Sequence, residues 1–216
     1  MKRNLQKDFD YRLLLLAVII CLIGLILLYS ASYQRSLVSG VSFMVRQMIW
    51  VVIGLSALLI IANINYRKLI EISYILYAIN LLFLVLVLFL GEIRLGAQRW
   101  LQLGNFAFQP SELAKVVIIL VLAKYLGERD SRHQQHRQIK KILVSLGIVA
   151  VPLILILKQP DLGTAIVFLP ILFCMLYVWG ARLKYLLGLT GVGLVCSPFL
   201  WHFLRDYQRQ RLLVLR

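Results

Sequence analysis

Charged residues are sparse in this 216-residue chain, and those whose types and spacing suit chemistry gather in two motifs. One is Gln109-Pro110-Ser111-Glu112-Leu113-Ala114-Lys115, preceded by Gly96-Ala97-Gln98-Arg99-Trp100; the other is Gln159-Pro160-Asp161-Leu162-Gly163-Thr164, preceded by Lys158. Proline suits the first position of a helix, with φ preset and no N–H to leave unsatisfied. Each motif therefore predicts a helix start, with Glu112 and Asp161 in the first turn, where the helix dipole favours a carboxylate by roughly 0.3–1 kcal/mol. That placement alone accounts for both acids. A second chemistry is equally open to them. Helix N-termini bind anions, and Arg99, Lys115 and Lys158 add three cations nearby. Glu112 and Lys115, spaced i,i+3, share a helix face and can pair. An ionisable pair inside an apolar helix is costly and as a rule faces a polar cavity. Together these features suit an anionic headgroup such as a diphosphate. Taken singly, Arg99-Trp100 reads as an interface anchor, and Lys115 and Lys158 as snorkelling side chains.

The elements that must position these residues are membrane helices. The chain is 61% hydrophobic and 15% charged, against about 45–50% and about 25% in soluble domains. That excludes an ordinary soluble globule, and disorder with it. Residues 13–34, 47–66, 72–91, 142–157, 162–181 and 185–204 contain no Asp, Glu, Lys or Arg. Crossing hydrocarbon takes about 20 apolar residues. A seventh span, 110–127, carries Glu112, Lys115 and Lys124 around an apolar centre. The expected fold is thus an all-α bundle of seven spans in a single membrane domain over 1–216. With the N-terminus cytoplasmic, inner segments hold fourteen basic residues against six on outer segments before the tail, the bias the positive-inside rule requires. Both motifs and the C-terminus then face outward. The net charge of +15 is mostly this patterning plus attraction to anionic lipid, and nucleic-acid binding is not implied. The tryptophans at 50, 100, 179 and 201 fall near span ends, as an interfacial belt does.

Other features read more plainly. Cys21, Cys174 and Cys196 lie in spans and imply no disulfide framework. The first apolar run is too long for a signal peptide and reads as a retained anchor. His133 and His136 lack the further partners a metal site needs, so no metal is expected. Gly188-Leu189-Thr190-Gly191-Val192-Gly193 lies inside a span and suggests close helix packing rather than a nucleotide loop. Asn80 suggests an interhelical hydrogen bond, and Pro152, Pro170 and Pro198 suggest kinks.

The two motifs, with Tyr29-Ser30-Ala31-Ser32 at the end of the first span and Asp206-Tyr207-Gln208-Arg209-Gln210-Arg211 near the end of the chain, resemble the signatures of the SEDS family (shape, elongation, division and sporulation proteins). The last segment is more like the RodA branch than the FtsW branch. The resemblance runs through the whole chain but covers roughly the first two-thirds of a family member, whose fold has about ten membrane helices. It implies a peptidoglycan glycosyltransferase of the bacterial inner membrane. Such a protein polymerises lipid II at the outer face beside a class B penicillin-binding protein, in cell elongation, rod shape or division. The family's proposed catalytic aspartate would lie beyond Arg216, so the chain is expected to be a fragment or a truncated form, inactive alone. Among its own residues, Glu112 and Lys115 carry over as supporting the catalysis. Arg99, Trp100, Gln109, Ser111, Lys115, Lys158 and Asp161 carry over as substrate-binding. No cofactor is implied, although a divalent cation beside the diphosphate is left open. Two other functions fit the same motifs: a lipid-linked-sugar flippase, and a non-catalytic scaffold of the elongation machinery.

Overall fold

A computed structural model describes residues 10–39, 43–94, 97–103, 106–127 and 135–202. The chain divides into two compact units, residues 1–66 and 67–216. In the first, α1 (Tyr11–Ser39) packs along α2 (Phe43–Ala62). Asp10 caps α1, its carboxylate accepting the N–H groups of Arg12 at 2.9 Å and Leu13 at 3.3 Å, which satisfies donors that a helix start leaves open. Both helices are apolar on every side and α2 buries no residue, as expected of surfaces that face lipid.

The second unit opens with the end of a short helix, α3 (Tyr66–Glu71), and α4 (Ser73–Leu90). A three-stranded antiparallel sheet follows: β1 (Glu92–Arg94), β2 (Ala97–Leu103) and β3 (Phe106–Phe108), in that spatial order. Then come α5 (Pro110–Gly127), α6 (Gln135–Lys158), α7 (Leu162–Trp179) and α8 (Leu183–His202). α5 packs against α4, α6 and α7. Its buried stripe, Ala114, Ile118, Leu122 and Leu126, meets Phe168, Leu172 and Leu176 of α7 and Val149 and Ile156 of α6 in one core. Steps of four and seven keep each stripe on one helix face. The opposite faces leave Val116, Leu143, Ile154 and Val178 exposed. In a membrane setting, side-chain packing rather than expulsion of water holds such helices together.

Five helical stretches among the described residues are long and apolar enough to cross a membrane: Tyr11–Tyr33, Phe43–Ala62, Ser73–Leu90, Gln138–Lys158 and Leu162–Trp179. α5 keeps the expected bounds of 110–127, but its three charges keep it out of that group, and α8 is described only in part. The second predicted span ends early, because the chain breaks at Asn63 and restarts as α3. α6 begins seven residues before the predicted 142, carrying Lys140 and Lys141 inside the helix. Pro152 and Pro170 lie within α6 and α7, which continue through them.

The fold is the expected all-α bundle, with the short sheet of β1, β2 and β3 added between α4 and α5. One expectation needs correction. Among the described residues, the glycines of 188–193 are not points of close approach: a Cβ built at Gly188, Gly191 or Gly193 meets nothing within 4 Å. Gly91 is such a point instead. A Cβ there would stand 2.5 Å from Val87 O and 2.9 Å from Gln98 Cγ, so only glycine lets β2 lie against the end of α4. Gln98 Nε2 donates to Gly91 O at 2.7 Å, and Phe83 of α4 meets Phe108 of β3 edge to face at 6.0 Å.

Candidate functional site

Side chains alternate across a strand. Gln98 and Trp100 therefore lie on one face of β2 and Arg99 on the other, toward the turn between α6 and α7. There Arg99 donates through Nη2 to Pro160 O at 2.9 Å, and its Nη1 stands 3.4 Å from Asp161 Oδ1. Asp161 is 2% exposed and is the N-cap of α7, accepting Thr164 N–H at 3.3 Å and Thr164 Oγ1 at 2.9 Å. Gln109, just before α5, joins the same carboxylate. Its Nε2 lies 3.1 Å from Asp161 Oδ2 and 3.0 Å from Ser111 Oγ. One buried carboxylate thus gathers β2, the start of α5 and the start of α7.

The two Gln-Pro motifs are not built alike. Pro110 is the first residue of α5, as predicted, with Glu112 in the first turn. Pro160 instead closes the end of α6: Asp161 N–H donates to Ile156 O at 3.2 Å, and Pro160 takes a positive φ of 27°, outside the range its ring favours. Asp161 is accordingly the cap of α7 rather than part of its first turn. Both of its carboxylate oxygens are occupied by donors.

The Glu112–Lys115 pair forms as its spacing predicts, Nζ to Oε2 at 2.9 Å. Glu112 is 57% exposed and Lys115 26%, so the pair faces outward from the first turn of α5. Trp100 is half-buried on the far face of β2 from Arg99. Lys158 is exposed at the end of α6 and has no polar contact with the Asp161 network among the described residues. The structure thus joins Arg99, Gln109, Ser111 and Asp161, sets Glu112 and Lys115 beside them on α5, and leaves Trp100 and Lys158 outside the network. No three His, Cys, Asp or Glu residues among those described lie together in a metal-binding group. The side chains of His133 and His136, and the Asp206–Arg211 segment, fall outside the described residues.

Two contributors lie within the second motif but carried no assigned role there. Gln159 is 1% exposed, and its Nε2 donates to Leu84 O of α4 at 2.9 Å, fixing the α6–α7 turn against α4. Thr164 gives Asp161 two of its donors. Asn80 makes the interhelical bond expected of it, donating from α4 to Pro110 O at 3.1 Å. The sheet did leave a signal. Gly104-Asn105 separates Ala97–Leu103 from Phe106–Phe108, and two turn-forming residues between short runs are a hairpin signature.

Comparison with known proteins supplies the setting. Residues 11–216 match the family described as cell cycle protein, FtsW/RodA/SpoVE. The chain is 33% identical to a probable peptidoglycan glycosyltransferase FtsW of Geobacter metallireducens, with 98% of this chain and 58% of that one covered. It is 36% identical to stage V sporulation protein E of Bacillus subtilis, with 87% and 54% covered. It is 32% identical to the peptidoglycan glycosyltransferase RodA of Treponema pallidum, with 89% and 44% covered. A solved structure of a peptidoglycan synthase complex, described as coordinating polymerisation and crosslinking, superposes with a TM-score of 0.79 at 32% identity, covering 96% of this chain and 59% of that one. The crystal structure of RodA from Thermus thermophilus gives 0.71 at 31%, covering 87% and 60%. The chain spans about half the length of these curated relatives, less than the two-thirds its motifs suggested.

Proposed function

The chain belongs to the FtsW/RodA/SpoVE family and is a multi-pass membrane protein; from that premise we propose that it takes part in peptidoglycan glycosyl transfer at the outer face of the bacterial inner membrane. The substrate in this reading is lipid II, a disaccharide carried on a lipid diphosphate, and the partner is a class B penicillin-binding protein. The N-terminus is cytoplasmic, so the starts of α5 and α7 meet the outer leaflet.

The reaction forms a bond from a sugar 4-hydroxyl oxygen to an anomeric carbon and breaks that carbon's bond to the diphosphate. The hydroxyl proton goes to a base, and negative charge collects on the departing diphosphate, where a fixed cation stabilises it. Lys115 supplies that cation. Glu112 holds its ammonium in place, and the exposed side of the pair admits a headgroup. Arg99, Gln109, Ser111 and Asp161 are positioning residues, because their polar groups are turned onto one another and hold the two helix starts together. The base lies outside this set.

The observation that carries the proposal is the outward-facing Glu112–Lys115 pair on a helix start that a buried network makes rigid. The test is glycan-chain synthesis from lipid II by the intact protein in detergent, where no second leaflet exists and flipping alone yields no product. Lys115→Ala is expected to abolish polymer while leaving the amount of folded protein unchanged. Polymer at the unsubstituted rate would overturn the assignment.

A further inference from the structure

Beyond Asn80, α4 is wholly apolar: residues 81–90 are Leu, Phe and Val. An amide inside a span is costly unless it is bonded, and this one is 5% exposed. Its Nδ2 donates to Pro110 O at 3.1 Å, two residues before Glu112. One turn further along the same face of α4, Leu84 O accepts Gln159 Nε2 at 2.9 Å. The start of α5 and the α6–α7 turn are thus both set against one turn of α4. Gln109 joins them a second time, its Nε2 lying 3.1 Å from Asp161 Oδ2. A closed circuit results: Asn80, Pro110, Gln109, Asp161, Gln159, Leu84 and back along α4.

That circuit holds the first turn of α5 at adjacent residues from two sides. Gln109 ties it to the α7 cap, and Asn80 ties it to α4. Glu112 N–H donates to Gln109 O at 3.1 Å, so the held turn is the one that carries the Glu112–Lys115 pair. A single tie would leave the turn a pivot; ties to two helices set its depth and its rotation.

Tyr77, on the same helix, shows a different use of such a bond. Its Oη donates to Ile148 O at 2.8 Å. Pro152, four residues beyond Ile148, has no N–H to give that carbonyl, so Tyr77 supplies a donor that α6 lacks. Pro110 O is not in that position. A carbonyl has two lone pairs, and its own helix can bond it through the N–H of Ala114. Tyr77 completes a helix, whereas Asn80 adds a bond that α5 does not need in order to form.

We infer that Asn80, on the reading of Lys115 given above, is a positioning residue for glycosyl transfer. It sets the Lys115 ammonium where the departing diphosphate collects charge. Asn80 touches no substrate in this role and acts through Pro110 and the first turn of α5. A cation stabilises developing charge only from the place where that charge appears. A displacement of about 1 Å can cost about a hundredfold in rate.

The test measures kcat and KM for lipid II, together with thermal unfolding, in the intact protein in detergent. Asn80→Leu, Tyr77→Phe and Lys115→Ala are compared. Asn80→Leu keeps the side chain's bulk and removes the donor. It is expected to lower kcat about ten- to a hundredfold with KM unchanged, and to shift the unfolding temperature less than Tyr77→Phe does. Tyr77→Phe strands Ile148 O and should lower the unfolding temperature with kcat per folded molecule unchanged. A merely structural role for Asn80 would move both variants alike. If leucine is not accommodated, Asn80→Ala removes the same donor and decides. Unchanged kcat in the folded Asn80 variant, with Lys115→Ala inactive, overturns the positioning role alone. So does an equal loss of kcat in Tyr77→Phe, or failure of both Asn80 variants to fold, since Asn80 is then a residue of the fold. Polymer from Lys115→Ala at the unsubstituted rate overturns the reading of that lysine and this role with it.

Discussion

Arg99 and Lys115 flank the start of α5, each beside a carboxylate, and their side chains are equally accessible, at 24% and 26%. The carboxylates differ. Asp161 is 3% exposed by side chain and receives Arg99, Gln109 and two donors of Thr164, whereas Glu112 is 57% exposed and receives Lys115. Burial of the acid, not of the base, separates a pair that builds the fold from one left available to a ligand. A carboxylate surrounded by donors cannot be removed without stranding them, while an exposed i,i+3 pair contributes about 0.2–0.5 kcal/mol at most.

The sharpest way to break this contrast is Asp161→Ala. It removes the α7 cap and strands a half-buried arginine and the Gln109 amide that it had accepted, and loss of a cap together with a charged hydrogen-bond acceptor costs about 2–4 kcal/mol. Denaturant unfolding should show a destabilisation of that order, against a change within about 0.5 kcal/mol for Lys115→Ala. If Asp161→Ala unfolded like the unsubstituted protein yet lost polymerisation, the assignments of anchor and reactive group would have to be exchanged.

A smaller effect tests how Arg99 is delivered. β2 lies against α4 only because Gly91 has no side chain. Gly91→Ala sets a methyl against Val87 O and Gln98, a clash that should cost about 1–3 kcal/mol and displace the strand carrying Arg99. The same denaturant series reads it. Stability equal to the unsubstituted protein would mean that β2 reaches the turn without this close approach.

What the sequence made legible follows from the range of the interactions. Glu112–Lys115 and the start of α5 at Pro110 are local and were readable from spacing alone. Arg99 and Asp161 lie 62 positions apart, and Gln159 acts on the backbone carbonyl of Leu84, 75 positions away; no local pattern encodes either contact. The sheet was hidden because residues 92–108 carry too few alternating apolar positions to outweigh their polar content, although Gly104-Asn105 marked a turn. Lys141 read as a charge bracketing a span, because its burial arises only when α5 and α7 bring Tyr125 and Trp179 over it.

The smallest expected effect sharpens the boundary between the two regions. Gly163 sits in the first turn of α7 beside Asp161, exposed, with its nearest neighbour to a built Cβ the Asp161 Oδ1 at 3.9 Å. That is ordinary contact, and the residue is already helical. Gly163→Ala should therefore be neutral or stabilise by up to about 1 kcal/mol through helix propensity, leaving the Asp161 network intact. Measured together, unfolding and glycan synthesis then distinguish two outcomes. Retained activity would confine the ligand to the α5 side of the network, around Glu112 and Lys115. Lost activity at full stability would place the ligand against the open face of α7 as well, since a methyl group that disturbs nothing within the protein can act only by occupying space outside it.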